Sequence, residues 1–495
     1  MALPLLDRVS GEDARFLVSI GPSIDNRTIP ASVPGPGEQY RFHFDMTRCI
    51  GCKCCEVACN EQNNNPAHLN WRRVGEIEAG EYPFTQRLHL SMGCNHCLDA
   101  ACLKGCPVDA YKKDAATGIV LHSADACIGC QYCTWNCPYG VPQYNEERGV
   151  VGKCDMCYGR LTDDHAPACV SACPEEAIRI EIVNIAQWRE SFHAEANVAG
   201  MPPAHDTIST TRITRPEMQE GEFRKADYHR VRAEHPHWPL VWMLVLTQMS
   251  VGAMTALVLW AGTNGAARMA AGAALLIGLL ALGASTAHLG RPIHAYRALK
   301  MWWRSWLSRE VLCFGLFAKC ATAYAAALWL DLPFVAAAGV ATVCTGTLGV
   351  LSSAFIYLVP ARPAWNSWTT LAEFGLTGFL LGPLLAFSIL GRNEPAVTLW
   401  AAALILAVGV AKWIRLARSV EFEQRSSARL LIYDLRRILL LRAALLAAGV
   451  AALYGNPWLA LALLVAEEIA GRYLFFVSVV PRNMAAPFFS KSEAA

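Results

Sequence analysis

Sixteen of the twenty cysteines fall into four groups of four between Cys49 and Cys173. The first and third groups read C-x2-C-x2-C-x3-C, the second widens its middle gap to four residues, and the fourth has an eleven-residue gap there. The groups are Cys49, Cys52, Cys55 and Cys59; Cys94, Cys97, Cys102 and Cys106; Cys127, Cys130, Cys133 and Cys137; and Cys154, Cys157, Cys169 and Cys173. Close cysteine triplets followed by a fourth cysteine, in three groups with proline after it, are typical of [4Fe–4S] ligation. The pattern predicts four [4Fe–4S] clusters, and therefore a path for electrons.

The fourth cysteine of each group is expected to bind a different cluster from the other three. In ferredoxin-type sequences the triplet holds one cluster, and the cysteine after the three-residue gap holds its partner. We infer from this pattern that the first group crosses with the fourth, and the second with the third. The resulting ligand sets are site I, Cys49, Cys52, Cys55 and Cys173; site II, Cys154, Cys157, Cys169 and Cys59; site III, Cys94, Cys97, Cys102 and Cys137; and site IV, Cys127, Cys130, Cys133 and Cys106.

Zinc and disulfides explain the cysteine pattern less well. Zinc sites usually use two separated C-x2-C pairs rather than packed triplets followed by Cys-Pro. A disulfide framework belongs to small secreted chains, and the cysteines of this half are odd in number. The additional thiol, Cys54 inside the first group, is expected to be a spectator.

The composition divides the 495 residues into two unlike halves. Residues 1–236 are polar, charged and rich in cysteine, whereas the region from Trp238 to Pro481 is dominated by Leu, Ala, Val and Gly. The net charge of +2, with no basic aromatic patch, gives no indication of a nucleic-acid partner. Residues 1–40 carry neither an apolar run of signal-peptide length nor an Arg-Arg pair. We expect an extended arm over 1–40, a four-cluster domain over 41–185, a connector over 186–236, a membrane anchor over 237–482 and a tail over 483–495.

Short alternating stretches beside the cysteine groups predict strands at 40–44, 87–90, 119–121 and 177–183. Residues 60–86, rich in Asn and charge, are expected to form an interaction loop. The predicted fold class is an α+β ferredoxin-like double repeat binding four [4Fe–4S] clusters, followed by an all-α eight-helix transmembrane anchor.

Eight apolar segments of the second half are long enough to cross a hydrocarbon core of about 30 Å. They cover 239–261, 266–287, 310–330, 333–359, 370–390, 396–414, 438–455 and 457–480. With eight spans, both ends of the anchor share one side, and that side also carries most of the Arg and Lys residues of the loops. The positive-inside rule therefore predicts an inner (cytoplasmic) membrane protein whose cysteine domain faces the cytoplasm.

The charged residues at the basic face are the candidates for acid–base chemistry with a quinone. Ionisable groups within a membrane are costly and therefore suggest function. His288, with an ordinary pKa near neutrality, suits proton exchange with a quinol, and Glu467 or Glu468 could continue the proton path. A helix-end role for His288, pairing of both glutamates with Arg472, and a structural or headgroup contact for Arg291 are the alternatives.

The second half is poor in haem ligands. Only two histidines, His288 and His294, occur after residue 237, and both belong to one loop. A bis-histidine haem needs ligands that face each other across helices. No haem is expected.

Two stretches resemble subunits of a known family. Residues 41–185 resemble the four-cluster iron–sulfur subunit of the dimethyl sulfoxide reductase family of molybdenum enzymes, through all sixteen grouped cysteines and their x4 and x11 gaps. Residues 237–482 resemble the family's eight-helix anchor, through the motifs HLGRP, SWLSRE, RPAWNS and EEIAGR. The resemblance implies a separate molybdopterin catalytic subunit as partner and a haem-free quinol site that involves His288. In this family the two subunits are usually separate chains, and the cluster subunit faces the periplasm.

The expected role is electron transfer and membrane anchoring, between membrane quinol and that catalytic subunit. The alternative is the same role run in reverse, because the predicted cytoplasmic side resembles that of sulfite-oxidising complexes. A polysulfide or nitrite reductase module and a membrane redox sensor are further alternatives. No residue pattern suggests a pterin site, so the protein is not expected to act on the terminal substrate alone.

Overall fold

The computed structural model describes residues 28–79, 86–196, 201–216, 224–225, 231–392 and 394–482. The predicted arm over 1–40 therefore lies mostly outside the described residues, and the tail over 483–495 lies wholly outside them.

The first half is built from short strands and short helices around the cysteine loops. Its strands are β1 Glu38–Asp45, β2 Arg73–Ala79, β3 Gln86–Met92, β4 Tyr111–Lys113, β5 Val120–His122, β6 Gln143–Asn145, β7 Val150–Gly152, β8 Ile178–Asn184, β9 Arg212–Thr214 and β10 Arg224–Lys225. Its helices are α1 Cys54–Asn63, α2 Ala101–Gly105, α3 Tyr132–Asn136, α4 Tyr158–Thr162, α5 Ala168–Ser171 and α6 Ile185–Glu195. The four predicted strands correspond to β1, β3, β5 and β8, with bounds that differ by at most two residues.

The strands form small sheets rather than one large one. β1 lies between antiparallel β8 and parallel β9, and β2 lies between β3 and β10. β4 pairs with β5, and β6 pairs with β7. Apolar side chains of β1, β3 and β8 form one buried core, and those of β4, β5 and β7 form a second. The first core packs mainly against the first and fourth cysteine groups, and the second core packs against the second and third.

An internal repeat is visible in the backbone of the cysteine loops. The second residue after the first cysteine of each group has a positive φ, with Gly51 at 71°, His96 at 42°, Gly129 at 70° and Met156 at 61°. The left-handed conformation turns the chain sharply, which wraps each triplet into a tight loop. All four groups therefore share one local backbone design despite their different gaps.

Two segments of the first half are more ordered than predicted. The expected interaction loop at 60–86 contains β2, which pairs with β3 as an antiparallel hairpin, so that prediction is wrong for this part. The expected connector contains α6, whose Trp188 is buried, and β9, which joins the sheet of β1. Thr207 of the same stretch donates to the Cys97 sulfur at 3.2 Å. Much of the connector thus belongs to the cysteine domain.

The second half is helical. The long helices are α7 Trp238–Trp260, α8 Gly265–Thr286, α9 Trp306–Trp329, α10 Val335–Ile356, α11 Trp368–Leu390, α12 Pro395–Arg418, α14 Arg436–Ala452 and α15 Pro457–Val477, with a shorter α13 at Phe422–Ile432. Each predicted span corresponds to one long helix, with bounds that differ by at most four residues. A 3₁₀ segment, Pro292–Leu299, joins α8 to α9.

Six of the long helices, α7 to α12, are long and apolar enough to cross a membrane. The other two depart from that pattern for different reasons. α14 has 17 residues, and α15 carries Glu467, Glu468 and Arg472 within its length. These helices indicate a multi-pass membrane protein. Six of the eight predicted spans are apolar and long enough to cross a membrane, and the spans at α14 and α15 stay a prediction.

Candidate functional site

The fold brings cysteines of different groups together. Each fourth cysteine lies among members of the group with which the sequence pattern pairs it. The neighbours are Cys173 with Cys49 and Cys55; Cys59 with Cys154, Cys157 and Cys169; Cys137 with Cys97 and Cys102; and Cys106 with Cys127, Cys130 and Cys133. Cys54 is exposed at the edge of the first group.

The surroundings of these sulfurs fit iron–sulfur clusters. Backbone N–H groups point at several of them, such as Gly129 N–H at the Cys127 sulfur at 3.4 Å and Ala177 N–H at the Cys173 sulfur at 3.2 Å. Such hydrogen bonds stabilise the negative charge of bound clusters. A cavity is lined by all four cysteines of site III, Cys94, Cys97, Cys102 and Cys137. Among the described residues no three Cys, His, Asp or Glu side chains gather as they would around a single metal ion. A cubane needs wider spacing because each cysteine binds a different iron atom.

The four sites follow one another in a line. Cys55 of site I neighbours Cys169 of site II. Cys154 of site II neighbours Cys94 of site III. Sites III and IV share two chain segments, since Cys102 and Cys106 lie on one and Cys133 and Cys137 on the other. Cys130 of site IV packs against the core of the helical half, so the line runs from the membrane outward in the order IV, III, II, I.

Three glycines join site IV to the loop after α8. The amide of Gly290 donates to the Gly129 carbonyl at 3.4 Å, and the amide of Arg291 donates to the Ile128 carbonyl at 3.1 Å. A Cβ on Gly129 would lie 2.4 Å from the Gly149 carbonyl oxygen, and one on Gly290 would lie 2.2 Å from that same atom. Only glycines permit this approach. The Cys127–Cys130 loop and the loop that carries His288 are therefore held backbone to backbone.

An aromatic side chain of the cysteine domain enters the helical half. Trp135 lies between Cys133 and Cys137 and is buried. Its ring is 5.3 Å from that of His237, 5.7 Å from that of Tyr357 and 5.6 Å from that of Trp365. One side chain thus links the segment that carries ligands of sites III and IV to the core of the membrane helices.

His288 lies next to this junction. Its Nδ1 donates to the Ser285 carbonyl, so the neutral ring leaves Nε2 free of hydrogen. Burial lowers the pKa of His288 to about 4, because the charged ring is poorly solvated. His237 is a close neighbour and its pKa is also lowered to about 4, mainly by burial. The hydrogen bond to Ser285 is the one expected if His288 serves only to end a helix. The same bond fixes the ring so that Nε2 is left as a hydrogen-bond acceptor.

Sequence reasoning missed Glu310 as a site residue. It lies on the first turns of α9 and is 6% exposed. Its neighbours are the hydroxyl groups of Tyr132, Ser353 and Tyr357. Tyr132 stands between Cys130 and Cys133 of site IV. The signal was present, because an acidic residue within an apolar segment is costly, but its link to site IV depends on tertiary packing.

Glu467, Glu468 and Arg472 lie in a separate polar cluster deeper among the helices. Glu467 pairs with Arg442 of α14 at 2.7 Å, and not with Arg472 as the alternative interpretation had it. Glu468 accepts from the Thr377 hydroxyl at 2.8 Å. The guanidinium of Arg472 donates to the Gln248 side chain at 2.8 Å, and Tyr357 is near both that guanidinium and Glu310.

Arg291, the remaining candidate, lies at the junction between the halves. Its guanidinium donates to the Ala124 carbonyl of the cysteine domain at 2.9 Å. The structure therefore places Glu310 and Tyr357 beside Tyr132 of the site IV loop, and it places His288 in the loop that is hydrogen-bonded to the same site. It brings Glu467 and Glu468 together elsewhere, and Arg291 holds the two halves together.

Two protein-family models match the sequence. Residues 85–182 match the family described as "4Fe-4S dicluster domain". Residues 232–477 match the family described as "DMSO reductase anchor subunit (DmsC)". The two matches follow the division between the cysteine-rich and helical halves.

Several known proteins are similar to the first half. One chain of the anaerobic dimethyl sulfoxide reductase of Haemophilus influenzae is 38% identical over 190 residues, which are 37% of the present sequence and 88% of that protein. YnfG of Escherichia coli K12, a probable anaerobic dimethyl sulfoxide reductase chain, is 41% identical over 177 residues, 34% of the present sequence and 85% of that protein. One subunit of the sulfite dehydrogenase of Allochromatium vinosum is 35% identical over 160 residues, 28% of the present sequence and 67% of that protein.

Proposed function

We propose a redox role from one premise: this protein belongs to the dimethyl sulfoxide reductase family, in which it fuses an iron–sulfur subunit to a membrane-anchor subunit. In this role it passes electrons between a membrane quinol and a separate molybdopterin catalytic subunit, through four [4Fe–4S] clusters at sites I to IV. The observation that carries the proposal is that two acid–base side chains adjoin site IV: His288 lies in the loop that is hydrogen-bonded to the Cys127–Cys130 segment, and Glu310 lies beside Tyr132, which follows that segment. The clusters, when bound, supply one-electron transfer.

The quinol would bind beneath site IV, where the protein offers proton acceptors. The lowered pKa keeps His288 neutral, so its Nε2 is suited to accept a hydrogen bond from a quinol hydroxyl and to take that proton as the electrons leave the quinol. Glu310, beside Tyr132 and Tyr357, is suited to receive the second proton. Oxidation of one quinol releases two electrons and two protons, so one acceptor for each proton balances the reaction. Glu467, Glu468 and Arg472 would continue the proton path through Tyr357, and Arg291 would position the loop.

The catalytic partner would dock at the far end of the line of sites. Ile50 and Val57 flank site I and are 60% and 61% exposed, and Cys52 and Cys54 are exposed beside them. Exposed apolar side chains around a cluster suit a protein contact that must bring two redox centres close together.

The anchor would cross the inner membrane eight times, with α14 and α15 as the seventh and eighth spans and the cluster domain on the cytoplasmic side. Loop arginines on the cluster side support this sidedness through the positive-inside rule. Some of these arginines also contact the cluster domain. Arg297 donates to the Asp125 carbonyl at 2.9 Å, and Arg304 donates to the Asp109 carboxylate at 3.4 Å. Part of the positive charge on this face therefore serves domain docking.

A reversed electron flow is the second candidate, and the similarity to a sulfite dehydrogenase subunit is the observation that favours it. In that case the catalytic subunit would deliver electrons at site I, and His288 and Glu310 would give protons to a quinone. The same sites and the same line of clusters serve both directions.

His288→Ala tests the proposed site. We expect it to abolish reduction of the clusters by a quinol analogue in membranes, because the ring that accepts the first proton is gone. Four clusters should remain bound and should still be reduced by dithionite. His294→Ala, in the same loop, is the matched control and should leave quinol-driven reduction unchanged. Unchanged reduction in His288→Ala would remove this residue from the site, and absence of quinol-driven reduction in the wild type would favour a membrane redox sensor.

A further inference from the structure

Arg72 is a buried cation with unsatisfied donors. Its residue exposure is 2%, and its Nε and Nη2 have no hydrogen-bond partner within the part of the chain that the structure describes. Nη1 donates to the carbonyl and hydroxyl oxygens of Ser91 at 3.3 and 3.2 Å. The guanidinium carbon lies 4.5 Å from the ring centre of Phe42. A buried charge is costly unless an opposite charge faces it, so the free N–H groups point to an anion.

The groups that face Arg72 are cysteine sulfurs of two different sites. Its strongest charged neighbours are Cys55 of site I and Cys154, Cys169 and Cys59 of site II. Nη2 and the Cys154 sulfur lie 3.3 and 3.6 Å from the same point, the position that a Cβ would take on Gly93. The guanidinium therefore stands between sites I and II.

The hairpin of β2 and β3 holds this cation in place. Arg72 immediately precedes β2, and its anchor Ser91 lies on β3. The Ser91 hydroxyl oxygen is in turn 3.3 Å from the Cys55 sulfur. One serine thus contacts both the cation and a ligand of site I, so the distance between them is fixed by a single β-strand pair.

We propose that Arg72 is a positioned charge that raises the reduction potentials of the clusters at sites I and II. Reduction adds one negative charge to a cluster, and a cation nearby stabilises the reduced form more than the oxidised form. Net charge and hydrogen bonding around the sulfurs are the properties by which a protein sets cluster potential. Because the guanidinium is buried, water screens its charge little. The proposal rests on the proposed function only in requiring clusters at sites I and II.

The position of Arg72 favours one direction of electron flow along the four sites. Sites I and II are the two farthest from the membrane, and the higher potentials make them better electron acceptors than the same cysteine sets would be without the cation. Electrons that enter at site IV are therefore drawn toward the face that carries Ile50 and Val57. This bias favours the flow from quinol to catalytic subunit over the reverse flow.

The test is a redox titration of the full-length protein in membranes, followed by electron paramagnetic resonance. Signals are assigned to the sites through one cysteine-to-serine variant in each. In Arg72→Gln we expect the equilibrium constant for one-electron reduction at sites I and II to fall at least tenfold, about 59 mV, with smaller changes at sites III and IV. Arg72→Lys retains the charge and should retain most of the potential.

Arg87→Gln is the control, since it removes an arginine of the same hairpin that is 62% exposed. It should leave all potentials unchanged. Four bound clusters with unchanged potentials in Arg72→Gln would overturn the proposal. Loss of the clusters at sites I and II in Arg72→Gln, with retention in Arg72→Lys, would support it, because only the charge is restored. Equal loss in both variants would overturn it in favour of a purely structural arginine. Iron and sulfide content of the wild type tests the proposed four clusters separately.

Discussion

At the scale of single residues, the acidic groups of the long helices differ in what surrounds them. Glu373 pairs with Lys412 at 2.9 Å, and Glu467 pairs with Arg442 at 2.7 Å, so each joins two helices by an ion pair. Glu310 instead lies among the hydroxyl groups of Tyr132, Ser353 and Tyr357. Hydroxyl groups both donate and accept, which suits a carboxyl that exchanges protons better than one that holds helices together.

Glu310→Gln keeps the size of this side chain but removes its exchangeable proton. We expect quinol-driven cluster reduction to fall about 10²- to 10⁴-fold, the usual contribution of a positioned acid or base. The measurement is the initial rate of cluster bleaching after addition of a quinol analogue to membranes. Reduction by dithionite should be unaffected. Glu394→Gln, the same change at an exposed residue at the start of α12, serves as the control, and an equal rate in both variants would contradict a proton-transfer role for Glu310.

At the scale of elements, a backbone junction sets the spacing between site IV and the proposed quinol site. Gly129, Gly149 and Gly290 approach so closely that their amides and carbonyls contact one another. Ser305, at the start of α9, adds a bond from its hydroxyl to the Gly105 carbonyl at 2.6 Å. The rate of electron transfer falls steeply with distance. A junction of main-chain atoms holds the distance between site IV and the proposed quinol site more firmly than flexible side chains could.

Gly290→Ala should disturb this junction. The new Cβ would lie 2.2 Å from the Gly149 carbonyl oxygen, a backbone atom that cannot rotate away. The loop must therefore shift, and we expect slower quinol-driven reduction of site IV while the cluster potentials stay the same. Gly283→Ala is the matched control, because a Cβ there meets nothing within 4 Å. Rates that are equal in both variants would show that the contact does not set the spacing.

The elements that could be predicted are those with a local pattern. Cysteine spacing marked the tight loops, alternation marked β1 and β8, and apolar length marked α7 to α12. Arg72 and Trp135 could not be placed in this way. Each is a large side chain in a polar stretch, and its burial follows from the packing of the hairpin and of the two halves. The polar contacts of the expected connector, such as Thr207 at Cys97, likewise depend on long-range folding.

At the scale of the whole molecule, the membrane helices form unequal groups. In α7 and α11, 72% and 61% of the residues in the most apolar stretch of the helix are buried inside the protein. In α12 the corresponding share is 22%. α15 is tied to the buried pair through polar bonds, from Arg472 to Gln248 of α7 and from Thr377 of α11 to Glu468. The charged residues of α15 therefore face other helices rather than lipid. The cost of exposing a charge to lipid does not arise, so α15 can cross the membrane.

The topology of α14 and α15 can be tested with an epitope inserted at Gly455, between these two helices. If both cross the membrane, the epitope lies on the side opposite the cluster domain, where a membrane-impermeant antibody should reach it in spheroplasts with intact inner membranes. Insertions at Gly391, between α11 and α12, and at Val420, between α12 and α13, are controls for the two sides. We expect labelling at Gly455 and Gly391 and protection at Val420. Labelling at Val420 alone would place the cluster domain outside the cytoplasm, and an epitope at Gly455 that behaves like the one at Val420 would reduce the anchor to six spans.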